Sequence, residues 1–275
     1  TVPVEADGSA FFAVPAEKFV YFQLLDAEGM MIHSMRSGTF VQPGERTGCI
    51  GCHDQRLASP APALAMPPLA FQRPPSKLSG WQGEPRLFGF TAEVQPVFNQ
   101  HCLGCHDFGK EGAKKLVLAP DRDLTFNAAY IELWRKRYVH CVGAGPAEVQ
   151  PAYAWGSHPS KLVQVLRAGH HDVKLSAEEL DRIVTWVDLN APYYATYNCA
   201  HPESVSGRCP LTRPQLARLC QLVGPPLVWQ DEGSPFNSFG SSPGIMVSFD
   251  RPELSPCLAH FKDQSDTNYR EALAL

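Results

Sequence analysis

The apolar pattern changes period along the chain. In the first 48 residues Ala10, Phe12 and Val14 alternate with polar or small neighbours, and residues 19–25 form an aromatic and branched run, both marks of β structure. Asp26, Ala27, Glu28 and Gly29 read as a hairpin loop, with Gly29 supplying the positive φ of the turn. The returning run over 30–36 places Met31, His33 and Met35 on one face by its period of two. After a proline-rich stretch over 58–86, expected to be an extended linker crossing a surface, the period becomes helical. Val94, Val97 and Phe98 form a stripe behind Thr91, the expected N-cap, with Pro96 near the helix start, where a missing donor costs least. A second helix is marked more fully. Ser176 and Glu179 have capping-box spacing, Leu175 and Leu180 staple spacing, and Leu180, Ile183, Val184 and Val187 the helical stripe. Beyond residue 198 the pattern fades; 245–249 is strand-like and the last five residues helix-like.

These elements predict a mixed α+β chain in three parts. Residues 1–86 are a small β-rich module with a proline-rich linker, 199–275 a loop-rich, Cys/Pro-rich tail, and 87–198, which carries Cys102-Leu-Gly-Cys-His106 at the end of its first helical stripe, resembles a class I cytochrome c domain with an insertion. The 21 glycines and 25 prolines among 275 residues agree with a loop-rich body organised around a cofactor. No window approaches twenty apolar residues, so no transmembrane span is expected. A net charge of −4 without a basic run argues against a nucleic-acid partner. The chain opens on Thr1 and closes on a helix-like run, as expected of a processed chain or one part of a larger one.

Chemistry enters with the cysteines. CIGCH at 49–53 and CLGCH at 102–106 repeat the c-type haem attachment motif, in which two thiols three positions apart reach the vinyl groups of one porphyrin and the next histidine ligates the iron. Cys49, Cys52 and His53, and Cys102, Cys105 and His106, are therefore expected to hold two covalent haem c groups. For the second, no methionine lies between 87 and 198; Gly169, His170, His171 and Asp172 occupy the loop before the closing helix. His170 is the preferred sixth ligand, because a preceding glycine leaves room for close approach, with His171 the alternative; either makes a bis-His iron of lower potential than a Met/His one. For the first haem, His33 and Met35 are candidate ligands, with an open sixth position as the alternative. His101, His140 and His158 read as surface or structural histidines. Of the other five cysteines, Cys199 with Cys209 and Cys220 with Cys257 are candidate disulfides in an oxidising compartment, leaving Cys141 as a thiol.

MRSGTFVQPGERTGCIGCH (35–53), GSHPSKLVQVLRAGHHDVKLS (156–176) and TWVDLNAPYY (185–194) together resemble hydrazine synthase alpha subunits and the wider set of similar multidomain cytochromes, over roughly residues 1–198. The resemblance implies an upstream β-propeller in a longer parent, a bis-His electron-passing second haem, and a first haem whose motif histidine binds zinc while a tyrosine four residues on ligates the iron. Here that position is Leu57, so the reactive site does not carry over and His53 is expected to bind iron in the ordinary way. The expected function is electron transfer by a periplasmic or extracellular diheme cytochrome, with redox proteins as partners, within a larger multidomain or multisubunit complex. The alternatives are an enzyme at the first haem, of hydrazine-synthase or peroxidase type with His33, Asp54 and Arg56 as acid/base candidates, and an assembly module using 199–275.

Overall fold

The computed structural model describes residues 1–49, 67–143, 150–198, 200–204, 207–225, 227 and 244–275. The chain forms two units: one of residues 1–86 with 150–152 among the described ones, the other of 87–143 with 153–275. Two short strands and a larger set of helices make the fold mixed α and β. Among the described residues no helix is long and apolar enough to cross a membrane.

The first unit is built on one hairpin, β1 (Gln23–Leu25) and β2 (Met31–Ser34). Its turn follows the residues expected to make it. Asp26 Oδ1 accepts the amides of Glu28 and Met30, both at 2.9 Å, and Gly29 sits at φ 80°. Leu24 pairs with His33 but Leu25 with Met31, an irregularity that interrupts strict alternation between Met31 and His33. Met31 is buried and its sulfur accepts Gln23 Nε2; the sulfur of Met35 accepts the amide of Phe22. The rest of the expected β structure is reduced to single bridges, Val20 with Thr39 and Phe12 with Ser76. Residues 67–79 run beside the first thirteen. Arg73 donates to Glu5 and to Ser76 Oγ, both at 2.7 Å, and Asp7 Oδ2 takes the amide of Leu69 at 2.8 Å.

The second unit begins with three short helices in line, α1 (Phe90–Glu93), α2 (Gln95–His101) and α3 (Leu103–His106). The first starts before its expected cap: Gly89, not Thr91, is the N-cap. The cause is tertiary. The amide of Phe90 bonds the carbonyls of Pro192 and Tyr193, and a Cβ at Gly89 would lie 2.9 Å from the backbone nitrogen of Ala195. Pro96 is tolerated because α2 restarts just before it. After α4 (Ala128–Arg135) and α5 (Lys161–Ala168) comes α6 (Ala177–Asp188), with the full Ser176/Glu179 capping box. Ile183, Val184 and Val187 are buried as its stripe predicts, while Leu180 is only half-buried. Phe90 lies at the centre of the core, 5.0 Å from Trp186 and 5.3 Å from Tyr130 between ring centres. Trp186 Nε1 and Tyr130 Oη donate to the carbonyls of Pro192 and Ala191, so neither buried polar group is left open.

In the same unit α7 (Arg213–Val223) and α8 (Thr267–Ala274) close a second core. Leu216, Leu219 and Leu222 pack with Tyr269, Ala272, Met246, Val247, Cys209, Cys257 and Leu124. Residues 245–249 form no strand. Their polar groups bond elsewhere: the amide of Met246 to Asp123 Oδ2 at 2.7 Å, and that of Phe249 to the carbonyl of Arg122.

Candidate functional site

The second CxxCH sequence lies on the α2–α3 junction, and its geometry follows from the helical turn. The amide of Cys102 bonds the carbonyl of Phe98, and those of Cys105 and His106 bond the carbonyl of Cys102. Residues three and four apart on such a turn are neighbours, so Cys102, Cys105 and His106 are gathered together. Burial, with Cys105 nearby, pushes the Cys102 thiol up to about 11.

His106 is held by its own loop. Its Nδ1 lies 2.7 Å from the carbonyl oxygen of Leu116, which only accepts, so Nδ1 carries the hydrogen and Nε2 of the neutral ring keeps its lone pair. The amide of Leu118 in turn donates to the carbonyl of His106. The loop passes close beneath: a Cβ at Gly112 would stand 2.6 Å from the oxygen of Cys105 and 3.1 Å from Cε1 of His106.

Across from His106 stands His170, with ring centres 5.9 Å apart and planes inclined by 39°. His171 stacks edge-on against His170 at 4.6 Å and is exposed, whereas His170 is half-buried. Of the two histidines flagged by sequence, His170 is the one beside His106. The glycine before His170 makes no room for close approach. A Cβ at Gly169 would meet nothing within 4 Å, so glycine is needed there for its φ of 87°, which ends α5 and turns the chain. Burial first, then the neighbouring His171, His106 and Lys115, holds the His170 imidazole below its ordinary value and favours the neutral ring. Among the described residues no three His, Cys, Asp or Glu side chains converge as a site for a bare metal ion.

His101, expected to be a surface residue rather than a ligand, is half-buried and pairs with a carboxylate. Its Nε2 is 2.8 Å from Oε1 of Glu179, so the end of α2 is tied to the capping box of α6. Ser176 and His101 together draw the Glu179 carboxyl down to about 2, the backbone N–H of Ser176 contributing most. His158 meets the Tyr153 ring edge-on at 4.9 Å, and the amide of His140 donates to Ser160 Oγ.

Arg251 carries no signal in the sequence as part of this site, and neither does Gly112. Arg251 donates two bonds to Asp107, the residue after His106, at 2.6 and 2.9 Å, and two to buried Asp121, at 2.6 and 2.8 Å. An arginine 144 positions beyond its partner leaves no local signal to find.

At the first motif Cys49 is exposed, and Cys52 and His53 lie outside the described residues, as do Asp54, Arg56 and Leu57. His33 is half-buried in β2. Cys141, Cys209, Cys220 and Cys257 all carry free thiols, with Cys220 packed against the cluster holding Cys209 and Cys257; Cys199 lies outside the described residues.

The family model for the hydrazine synthase alpha subunit middle domain matches residues 1–54, about a fifth of the chain, including Cys49, Cys52 and His53. No curated protein and no solved structure matches.

Proposed function

We propose that this chain is an extracytoplasmic diheme c-type cytochrome that passes electrons, with one haem on Cys102 and Cys105 ligated by His106 and His170, and the other on Cys49, Cys52 and His53. The observation that carries the reading is the His106–His170 pair beside two helically gathered thiols. His106 and His170 would hold the iron of a haem attached through Cys102 and Cys105. What supports this is that the fold brings the two imidazoles to 5.9 Å between ring centres. Two histidines alone are too few for a bare structural ion, which takes about four protein ligands, but suit an iron whose other positions a porphyrin fills.

When bound, the haem supplies a one-electron couple. The protein's part is to orient the His106 ring through its Nδ1 bond to the Leu116 carbonyl, to present His170 from a glycine-ended helix, and to steady the turn with Gly112 and the His101–Glu179 pair. A haem held by both histidines would have no position open to a substrate, which is why we favour a carrier here. The match over residues 1–54 supports a second reading, in which the haem at His53 has an open face and the chain acts on small nitrogen compounds or peroxide within a multisubunit complex.

The test is the chain secreted from a host that matures c-type cytochromes. Two covalent haems by mass, and a low-spin ferric signal that His170→Ala converts to high-spin while His171→Ala does not, are expected. Absence of haem on Cys102 and Cys105, or an unchanged low-spin signal in His170→Ala, overturns the ligation. A high-spin component in the unaltered protein that shifts with hydroxylamine, nitric oxide or peroxide selects the enzyme reading instead.

A further inference from the structure

We infer that Arg251 is a positioning residue for His106, acting from the far end of the unit through Asp107 and Asp121. The inference rests on the reading of His106 as a haem ligand, and it starts from which points of the loop the guanidinium holds. Asp107 directly follows His106, where the chain leaves α3 in extended conformation. Asp121 ends the segment that provides the Leu116 carbonyl to His106 Nδ1 and the Leu118 amide to the His106 carbonyl. One side chain thus pins both limbs of the loop around the imidazole. Four N–H bonds make two forks, Nη1 and Nη2 to Asp107, Nε and Nη2 to Asp121. The Phe108 ring lies 5.5 Å below the guanidinium.

Arg251 is itself fixed from behind. Its amide donates to Ser248 Oγ at 2.9 Å, and Ser248 Oγ donates to Asp121 Oδ1 at 2.6 Å. Only a planar fork can serve two carboxylates in this way; an ammonium on a flexible stem supplies the same charge without the geometry. A second ion pair joins the same two stretches of chain, Arg122 with Asp250 at 2.9 Å, but touches neither Asp107 nor the His106 loop. It serves as the internal control for mere attachment.

The experiment uses the secreted holoprotein and three variants, Arg251→Lys, Asp107→Asn and Arg122→Lys. Amide exchange at Leu118 and across residues 107–118 is expected to rise about tenfold or more in Arg251→Lys and Asp107→Asn, the cost of losing charge-assisted bonds, and to stay unchanged in Arg122→Lys. In Arg251→Lys, where net charge is constant, the midpoint potential of the bis-His haem is expected to move upward. A looser Nδ1–H bond to Leu116 makes the imidazole a poorer donor to ferric iron. Unchanged exchange and potential in both Arg251→Lys and Asp107→Asn, or the same changes in Arg122→Lys, overturn the inference. If mass shows no haem on Cys102 and Cys105, the ligand reading fails by itself, while loop exchange still reports on Arg251.

Discussion

At the scale of single residues, the site turns on groups that act through hydrogen bonds rather than through bulk. Glu179 does two jobs at once. It closes the capping box with Ser176 and meets His101, and its carboxyl is drawn from 4.5 to about 2 in the fold. A lowered carboxyl pKa means that the unfolded chain binds the proton more readily. The stabilisation is therefore complete above pH 4.5 and is lost as pH falls from 4.5 towards about 2. Glu179→Gln is expected to lower the thermal-unfolding midpoint modestly above pH 4.5 and to flatten its acid limb, so that the two proteins converge as pH falls towards about 2; an acid limb as steep as that of the unaltered protein would show that another carboxyl governs it. The size is modest, because the carboxylate is partly open to water. The capping role of Glu179 was legible from its spacing to Ser176. Its bond to His101 was not, since the two are 78 positions apart and only the packing of α2 near α6 joins them.

At the scale of elements, local chemistry was the readable part. The Asp26–Gly29 turn and the α6 capping box appear where short-range patterns put them, because each is satisfied within four residues. The expected strands over 10–14 and 19–25 shrink to a three-residue strand and isolated bridges, since β pairing depends on partners that a pattern does not name. The start of α1 moved from Thr91 to Gly89 for the same reason: the chain after α6 takes up the amide of Phe90. Among the site residues, His106 and His170 were legible as motif histidine and loop histidine, yet only the fold places their rings 5.9 Å apart. Gly112 shows what the spacing motif leaves out. It passed without notice in the sequence, but any side chain there meets the oxygen of Cys105. Gly112→Ala is expected to cost about 1–3 kcal/mol of stability, read from denaturant midpoints, through displacement of the loop or of α3. Unaltered stability would mean that the loop gives way freely.

At the scale of the whole chain, the described residues past 199 offered almost no element signal, yet they contain a helical pair and the partners of three aspartates. Asp123 is buried, its carboxyl accepts the amides of Leu124 at 2.6 Å and Met246 at 2.7 Å, and burial outweighs them to push it up to about 7. Here the sign is the reverse of that for Glu179. The folded state keeps the proton that the unfolded chain gives up above 3.8, so stability declines as pH rises from 3.8 through about 7 and then levels. Asp123→Asn is expected to remove that decline, measured as the difference in unfolding free energy across the same span. A decline that persists would assign it elsewhere.

The clamp on His106 also has a history in time. The bond from its ring to Leu116 closes ten positions of chain, whereas the bonds from Arg251 to Asp107 close 144. The entropic difference between loops of those lengths is roughly 2 kcal/mol, and contacts of long span form late in folding. As the chain emerges from its N-terminal end, the turn bearing Cys102 and Cys105 takes shape while the segment that will lock it has not yet arrived. The turn bearing the two thiols is therefore expected to form before residues 248–251 dock and fasten it.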